Sequence, residues 1–169
     1  MQGQGRYHAG QTMSAREPVN RTHFVARATP AAIYAIVTDF PAYPRLFPEI
    51  KAARVVSTTG NVIRVEFKAE AAVIAVRYVL DLNCDPAALT VDWTFVEGEV
   101  VTNSTGGWRF TASGDGTTIA YRAALDVKAP LPGFILRRVT DGLVAASLPN
   151  MFASIEREVR ARQARAPQT

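Results

Sequence analysis

Cysteine and histidine are nearly absent from this chain. Cys84 is its single cysteine, and His8 and His23 are its two histidines. One thiol cannot form an internal disulfide, which fits a reducing compartment, and the three side chains lie too far apart in sequence for a metal-ligand spacing. The sequence therefore predicts no disulfide, no metal site and a cytoplasmic location.

Long apolar runs are also missing. No run approaches the ~20 residues that a membrane span requires, and residues 1–18 lack the apolar segment of a secretory signal. The apolar share of 48% and the charged share of 20% are ordinary for a globular protein. We therefore expect one domain at 19–163, a flexible N-terminal tail at 1–18 and a C-terminal tail at 164–169.

Charge of one sign is not concentrated on any central segment. The net charge is +4, and much of the excess comes from Arg157, Arg160, Arg162 and Arg165 near the end of the chain. Positive side chains are favourable at a helix C-terminus, so we interpret these four as a solvated helix end. No basic stripe with interleaved aromatics occurs in the middle of the chain, so we expect no DNA partner.

The first part of the chain predicts a strand and a helical pair. Residues 20–28 have the composition of a strand, and Thr29 and Pro30 are typical of the N-cap and first position of a helix that ends near Asp39. Asp39 is expected to act in the turn or as a cap. Three prolines within 41–48 restrict the following segment to a short turn and a bend.

Residues 51–128 alternate between apolar and polar positions. Turn signals separate runs rich in Val, Thr and aromatic residues, which predicts six antiparallel strands in addition to the first. In each strand the residues of one parity are apolar, and these include Trp93, Trp108 and Tyr121. The residues of the opposite parity include the charged ones. The charged residues expected on the outer face are Arg77, Asp81, Arg122 and Asp126.

The period becomes helical in 132–162, where apolar residues recur every three or four positions. Pro149 removes one backbone hydrogen bond there, so we expect a break within a few residues of it. This helix is the only predicted element large enough to cover the apolar face of the sheet, and pockets form where the two diverge. The alternative is that the aromatic residues fill an ordinary core.

Five segments are distinctive: 28–34 (ATPAAIY), 38–44 (TDFPAYP), 93–98 (WTFVEG), 106–110 (GGWRF) and 116–121 (GTTIAY). In this order the chain resembles the START-like (SRPBCC) superfamily, in particular its polyketide cyclase/dehydrase and coenzyme-Q-binding branch. The resemblance implies an α+β helix-grip fold, in which a curved antiparallel sheet of about seven strands wraps a long C-terminal helix and a short helical pair follows the first strand. It also implies a cavity for a lipid, an isoprenoid quinone or a polyketide-like molecule.

No catalytic set is evident, and we expect no catalytic residue, no metal and no cofactor. His23 in the first strand is typical of a structural residue, and Cys84 has no neighbour in sequence that would lower its pKa. The inner face carries polar atoms on Tyr78, on Tyr121 and on the indoles of Trp93 and Trp108. These groups suit a ketone, quinone or hydroxyl on an otherwise apolar ligand.

The leading hypothesis is a carrier or chaperone for an apolar small molecule. Leu143, Ser147, Met151 and Ile155 follow each other at i+4 spacing and should face Trp93 and Tyr121. The candidate ligand-binding residues are Phe47, Val65, Phe67, Tyr78, Trp93, Phe95, Trp108, Tyr121, Leu143, Met151 and Ile155.

Two alternatives remain open. The first is a polyketide aromatase/cyclase that positions its substrate and uses one phenol as an acid. The second is a ribosome or RNA interaction module that binds through the basic termini. Transient contact with a membrane surface is kept as an option, and the sequence leaves the oligomeric state open.

Overall fold

The computed structural model describes residues 18–71, 74–128, 130 and 132–167, and their side chains except at 71, 74, 136 and 138–146. In chain order the elements are β1 (Val19–Ala26), α1 (Pro30–Val37), a 3₁₀ turn (Phe40–Ala42), α2 (Tyr43–Leu46), β2 (Ile50–Thr59), β3 (Val62–Ala71), β4 (Ile74–Asp85), β5 (Thr90–Gly98), β6 (Val101–Ser113), β7 (Gly116–Val127) and α3 (Gly133–Arg165). The expected tail at 1–18 lies outside the described residues apart from Pro18.

The seven strands form one antiparallel sheet in the order β1-β7-β6-β5-β4-β3-β2. Register shifts occur in the pairs β2–β3, β4–β5 and β6–β7. Such bulges bend the strand that carries them and so curve the sheet. The predicted helix-grip architecture, with its curved sheet and long C-terminal helix, is confirmed.

The two faces of the sheet are assigned as the alternation predicted. Trp93 and Trp108 are buried, whereas Arg122 is exposed. On the outer face, Arg77 donates to Glu66 and Glu97 at 2.8 and 3.0 Å. The outer face therefore carries cross-strand ion pairs, and the inner face carries the apolar core.

The helical pair after β1 begins as expected. The Thr29 hydroxyl accepts a hydrogen bond from the Ala32 amide at 3.2 Å, which confirms the N-cap. Asp39, however, forms no side-chain cap, and its carboxylate instead accepts from Arg162 of α3 at 3.2 Å. The backbone of Asp39 does lie in the turn, since its carbonyl oxygen accepts from the Ala42 amide at 3.1 Å. Only the side-chain cap was wrong, because the folded chain brings Arg162 within hydrogen-bond distance of the carboxylate.

The expected break near Pro149 does not occur, because α3 runs without interruption from Gly133 to Arg165. Proline costs the helix one backbone hydrogen bond, and packing on either side of that point can offset the loss. The buried side of α3 from this point onward consists of Leu148, Phe152, Ile155 and Val159. Pro149 itself is exposed.

The arginines at the end of α3 are not merely solvated. Arg160 donates to the Ala26 carbonyl oxygen at 2.7 Å and thereby joins α3 to the end of β1. Arg157 donates to the Ser154 hydroxyl at 2.8 Å. The solvated-face interpretation was wrong because the sheet and α3 itself supply acceptors that the local sequence pattern does not show.

Glu158 is the centre of an ion-pair cluster. Its side chain is 5% exposed, and it accepts two hydrogen bonds from Arg45 of α2 at 2.8 and 3.0 Å. Arg162 donates at 3.0 Å, and Arg165 lies 3.5 Å away. The hydrogen bonds from Arg45, followed by those from Arg162, hold the pKa of Glu158 at about 2 despite its burial.

Candidate functional site

Aromatic rings from three strands and α3 form a wall on the inner face. The ring of Tyr121 lies at its centre, 4.6 Å from Trp108 and 5.9 Å from Trp93 between ring centroids. Phe152 of α3 meets Tyr121 edge-on at 6.5 Å. The helix and the sheet therefore contact each other through aromatic groups at this point.

A second aromatic group continues the wall on β3, β4 and α2. Phe67 stacks on Tyr78 at 5.4 Å, and Tyr43 lies 5.8 Å from Phe67 and 4.9 Å from Phe47. The Tyr43 hydroxyl donates to the Val37 carbonyl oxygen at 2.6 Å, which fixes this ring. The Tyr43 hydroxyl is thus already used in a hydrogen bond within the fold.

Strand register explains how the wall is assembled. Tyr121 lies opposite Trp108 in the β6–β7 pair, and residues directly opposite each other in an antiparallel pair share a face. Trp93 lies opposite Gly106. A Cβ atom at Gly106 would overlap the Trp93 ring, so glycine is required for the indole to lie flat across β6.

The side chains of Tyr78 and Tyr121 lose most of their contact with water in the fold, but their hydroxyl oxygens are not fully buried. Burial raises the pKa of Tyr78 to about 12 and also raises the pKa of Tyr121. Both side chains nevertheless keep accessible surface, and neither hydroxyl forms a hydrogen bond with any described residue. In the described part of the chain, every fully buried polar side-chain atom has a partner. The two hydroxyls are therefore not fully buried and keep some accessible surface.

The two indoles differ in the availability of their N–H groups. Trp93 donates to the hydroxyl of the buried Ser104 at 3.1 Å, so its N–H is already used. The expectation that Trp93 offers a hydrogen bond to a ligand is therefore wrong, since the neighbouring strand satisfies it. Trp108 has no hydrogen-bond partner for its N–H among the described residues.

The predicted ligand-binding residues lie together, apart from Leu143, whose side chain is outside the described residues. Four of them keep part of their surface accessible: Tyr78, Phe95, Tyr121 and Met151. Six others are buried in the same cluster: Phe47, Val65, Phe67, Trp93, Trp108 and Ile155. Val65 and Ile155 are 0% exposed, so they pack in the core and leave no surface for a ligand to contact.

Sequence reasoning did not include Phe152 and Arg21 in the site. Phe152 belongs to the apolar repeat of α3, but a helical period does not show how the helix is rotated about its axis. Arg21 lies opposite Tyr121 in the β1–β7 pair and so on the inner face. The burial of Val25 (0% exposed) and the exposure of Phe24 (46% exposed) show that the odd-numbered residues of β1, including Arg21, face inward.

A cavity of about 320 Å³ lies at the edge of the wall, between β1 and α3. The lining residues are Arg21, Thr22, His23, Leu148, Pro149 and Phe152. His23 stacks on Phe152 with ring centroids 4.7 Å apart, and its Nε2 lies 2.8 Å from Glu156 Oε1. His23 therefore joins β1 to α3, which fits the structural role expected for it.

Other reactive groups offer little chemistry. Burial raises the pKa of Cys84 to about 11, which keeps the thiol protonated at neutral pH. Within the described residues, no group of three His, Cys, Asp or Glu side chains could hold a metal ion. No described helix has both the length and the hydropathy needed to cross a bilayer.

Comparisons with known proteins agree with this geometry. A family model described as polyketide cyclase/dehydrase and lipid transport matches residues 17–159. A Thermus thermophilus protein of solved structure is 22% identical, with a TM-score of 0.78 over 86% of this chain and 98% of its own. A search of curated proteins found no match.

Two further solved structures are similar. An aromatase/cyclase from Streptomyces is 16% identical, with a TM-score of 0.78 over 86% of this chain and 94% of its own. A START superfamily protein from Mycobacterium smegmatis is 21% identical, with a TM-score of 0.72 over 86% of this chain and 98% of its own. At these identities the structures share a fold with this chain, and the similarity says nothing more about its chemistry.

Proposed function

The chain belongs to the polyketide cyclase/dehydrase and lipid transport family, and from this membership we propose that it carries an apolar small molecule between the sheet and α3. The ligand class is a lipid, an isoprenoid quinone or a polyketide-like molecule. The proposed wall comprises the half-buried residues Tyr78, Phe95, Tyr121 and Met151, backed by the buried aromatic residues.

The single observation that supports this proposal is that the hydroxyls of Tyr78 and Tyr121 keep accessible surface and have no hydrogen-bond partner among the described residues. A hydrogen bond from either hydroxyl to a ligand oxygen would contribute about 1 kcal/mol. The raised pKa of both phenols keeps them protonated, so each can donate a hydrogen bond to a carbonyl or hydroxyl oxygen.

The proposed ligand is apolar over most of its surface. Phe95 and Met151 offer only apolar surface, and Met adapts to ligands of variable shape. Tyr78 and Tyr121 each offer one hydroxyl that can donate to an oxygen atom of the ligand.

Mass spectrometry tests this proposal. Protein purified under native conditions is extracted with organic solvent, and the extract is compared with that of the same protein unfolded and refolded before extraction. A carrier should yield one apolar, oxygen-bearing compound in the first extract only. In parallel, the refolded protein should take up N-phenyl-1-naphthylamine, an uncharged fluorescent probe. Absence of both a bound compound and probe uptake would show that the proposal is wrong.

A second candidate function is that of an aromatase/cyclase. The family description covers cyclases as well as lipid transport, and protonated phenols with accessible hydroxyls can donate a proton or orient a carbonyl. Incubation with a poly-β-ketone substrate, followed by analysis of ring closure, distinguishes the two. Cyclisation that Tyr78→Phe or Tyr121→Phe slows by tenfold or more would favour the enzyme.

Contact with a membrane surface fits the carrier function. At the start of α3, Phe134 is 73% exposed and Ile135 is 38% exposed. Arg137 follows them and is also exposed. Apolar side chains next to a cation are suited to an anionic lipid surface, where the ligand could be collected or delivered.

A further inference from the structure

We propose that the cavity between β1 and α3 binds the carboxylate head of a long-chain amphipathic ligand, with Arg21 as its counter-ion. This inference rests on the proposed function and names the ligand class for that site. The tail would pass Phe152 and lie against the aromatic wall around Tyr121.

The register of β1 places Arg21 at the rim of the wall. Arg21 lies directly opposite Tyr121, and such neighbours have Cβ atoms about 5 Å apart on the same face of the sheet. The burial of Val25 and the exposure of Phe24 establish that this is the inner face. The register therefore places Arg21, an exposed residue, on the same face as the ring at the centre of the aromatic wall.

The charge of the cavity lining favours an anion. Arg21 is the one arginine, lysine or carboxylate residue among the six lining residues. Its guanidinium donates to the Asn20 carbonyl oxygen at 2.9 Å and forms no ion pair with any residue that the structure describes. Thr22 adds a hydroxyl, and the Glu156 carboxylate, which is not a lining residue, has its Oε1 2.8 Å from His23 Nε2. A single guanidinium matches a carboxylate through two parallel hydrogen bonds.

Phe152 connects this cavity to the wall. One side of its ring stacks on His23 at 4.7 Å in the cavity lining, and the ring also meets Tyr121 edge-on at 6.5 Å. A volume of about 320 Å³ is at the lower end of ligand pockets and suits a head group with a few methylenes. A longer tail has to continue over Phe152 toward Tyr121, where the accessible aromatic surface lies.

Displacement of N-phenyl-1-naphthylamine by dodecanoate and by 1-dodecanol tests the head-group site. The two compounds have the same chain length and differ in charge. We expect wild-type protein to bind dodecanoate about tenfold more tightly than dodecanol, because only the carboxylate can form a charged pair with Arg21. Arg21→Gln should remove this preference and leave the affinity for dodecanol unchanged. Arg122→Gln, an exposed residue of β7 on the outer face, removes the same charge and should leave the preference intact.

The outcomes separate this inference from the proposed function. Equal affinity of wild-type protein for both compounds, or an unchanged preference in Arg21→Gln, would overturn the head-group site, while the uncharged probe would still report the wall. If wild-type protein binds neither the probe nor either compound, the proposed function fails and this inference fails with it.

Discussion

At the scale of single residues, the site depends on which aromatic side chains keep accessible surface. Tyr43 and Tyr121 are both half-buried tyrosines of the same cluster. The Tyr43 hydroxyl donates to Val37, whereas the Tyr121 hydroxyl has no partner among the described residues. The same residue type thus serves the fold at one position and is available to a ligand at the other.

Replacement of the Tyr121 hydroxyl should therefore affect binding more than stability. Tyr121→Phe should lower the affinity for an oxygen-bearing ligand by about fivefold, which corresponds to one lost hydrogen bond of about 1 kcal/mol. Tyr43→Phe is the matched control and should lower the free energy of unfolding by about 1 kcal/mol without changing affinity. Calorimetric titration and urea denaturation measure the two effects. The reverse pattern would contradict the assignment.

Met151 should limit the space that a ligand can occupy beside the aromatic wall. Met151→Trp is expected to fill part of the space and to reduce uptake of N-phenyl-1-naphthylamine severalfold. If Met151 only packs in the core, the larger ring should instead destabilise the protein by about 1–3 kcal/mol without any effect on binding. Ala164→Trp places the same ring on an exposed position near the end of α3 and should change neither probe uptake nor stability appreciably.

At the scale of elements, α3 covers the sheet as one continuous helix and contains Pro149. Its second half is fastened at several points, because Phe152 packs on Tyr121 and His23, and Glu158 accepts from Arg45. These contacts do not depend on the backbone hydrogen bond that Pro149 removes. They therefore hold the second half of α3 in place without it.

Pro149→Ala should stabilise the protein. The substitution restores one backbone N–H donor and removes a poor helix former, so we expect the free energy of unfolding to rise by about 1–3 kcal/mol. Asn150→Ala, at the adjacent exposed position, should change it by about 0.5 kcal/mol. Thermal denaturation compares the two variants. A lower melting temperature for Pro149→Ala would mean that the packing of α3 depends on the proline.

The start of α3 should mediate contact with anionic membranes. Phe134→Ser should reduce co-flotation with phosphatidylglycerol-containing vesicles severalfold, because it removes the most exposed aromatic ring. Phe24→Ser removes an exposed phenylalanine from β1 and serves as the control, with no expected loss. Equal loss in both variants would indicate nonspecific adsorption.

At the scale of the whole molecule, ion pairs connect the parts of the fold that lie far apart in sequence. Arg64 donates to Asp81 across β3 and β4 at 2.8 Å, and Arg77 joins Glu66 to Glu97 on the outer face. Hydrogen bonds from these arginines lower the pKa of both Asp81 and Glu66. These carboxylates should therefore contribute stability that is lost as pH falls below the ordinary carboxyl pKa range.

The sign of this dependence follows from the direction of each shift. The pKa of Glu158 is about 2 in the fold and 4.5 ordinarily, so its contribution is present above 4.5 and is lost as pH falls toward 2. Tyr78 acts oppositely, since its pKa rises from 10.0 to about 12 and its contribution is lost as pH rises through that interval. The melting temperature should therefore fall both as pH drops below 4.5 and as pH rises above 10.0.

Glu158→Gln isolates the acidic part of this profile. We expect the variant to lose roughly 3 kcal/mol of stability at neutral pH, because arginines are left around an uncharged group. Its melting temperature should then vary less than that of the wild type between pH 5 and pH 2. Glu99→Gln, an exposed residue without an ion pair in the described part of the chain, should keep the wild-type profile.

The alternation along the strands was sufficient to predict the sheet and the composition of its inner face. Trp93, Trp108 and Tyr121 could be placed on one face because strand periodicity is local and burial selects one parity. The change to a helical period likewise predicted α3. For the same reason, most of the candidate wall could be named from the sequence alone.

Tertiary structure decided which of these residues border open space and which additional residues join them. Arg21 lies beside Tyr121 only through the pairing of β1 with β7, and Phe152 reaches Tyr121 only through the rotation of α3 about its axis. The bond between Arg45 and Glu158 spans 113 residues. Local periodicity carries no information about strand register, helix rotation or such distant pairs, because each is determined when separate elements pack together.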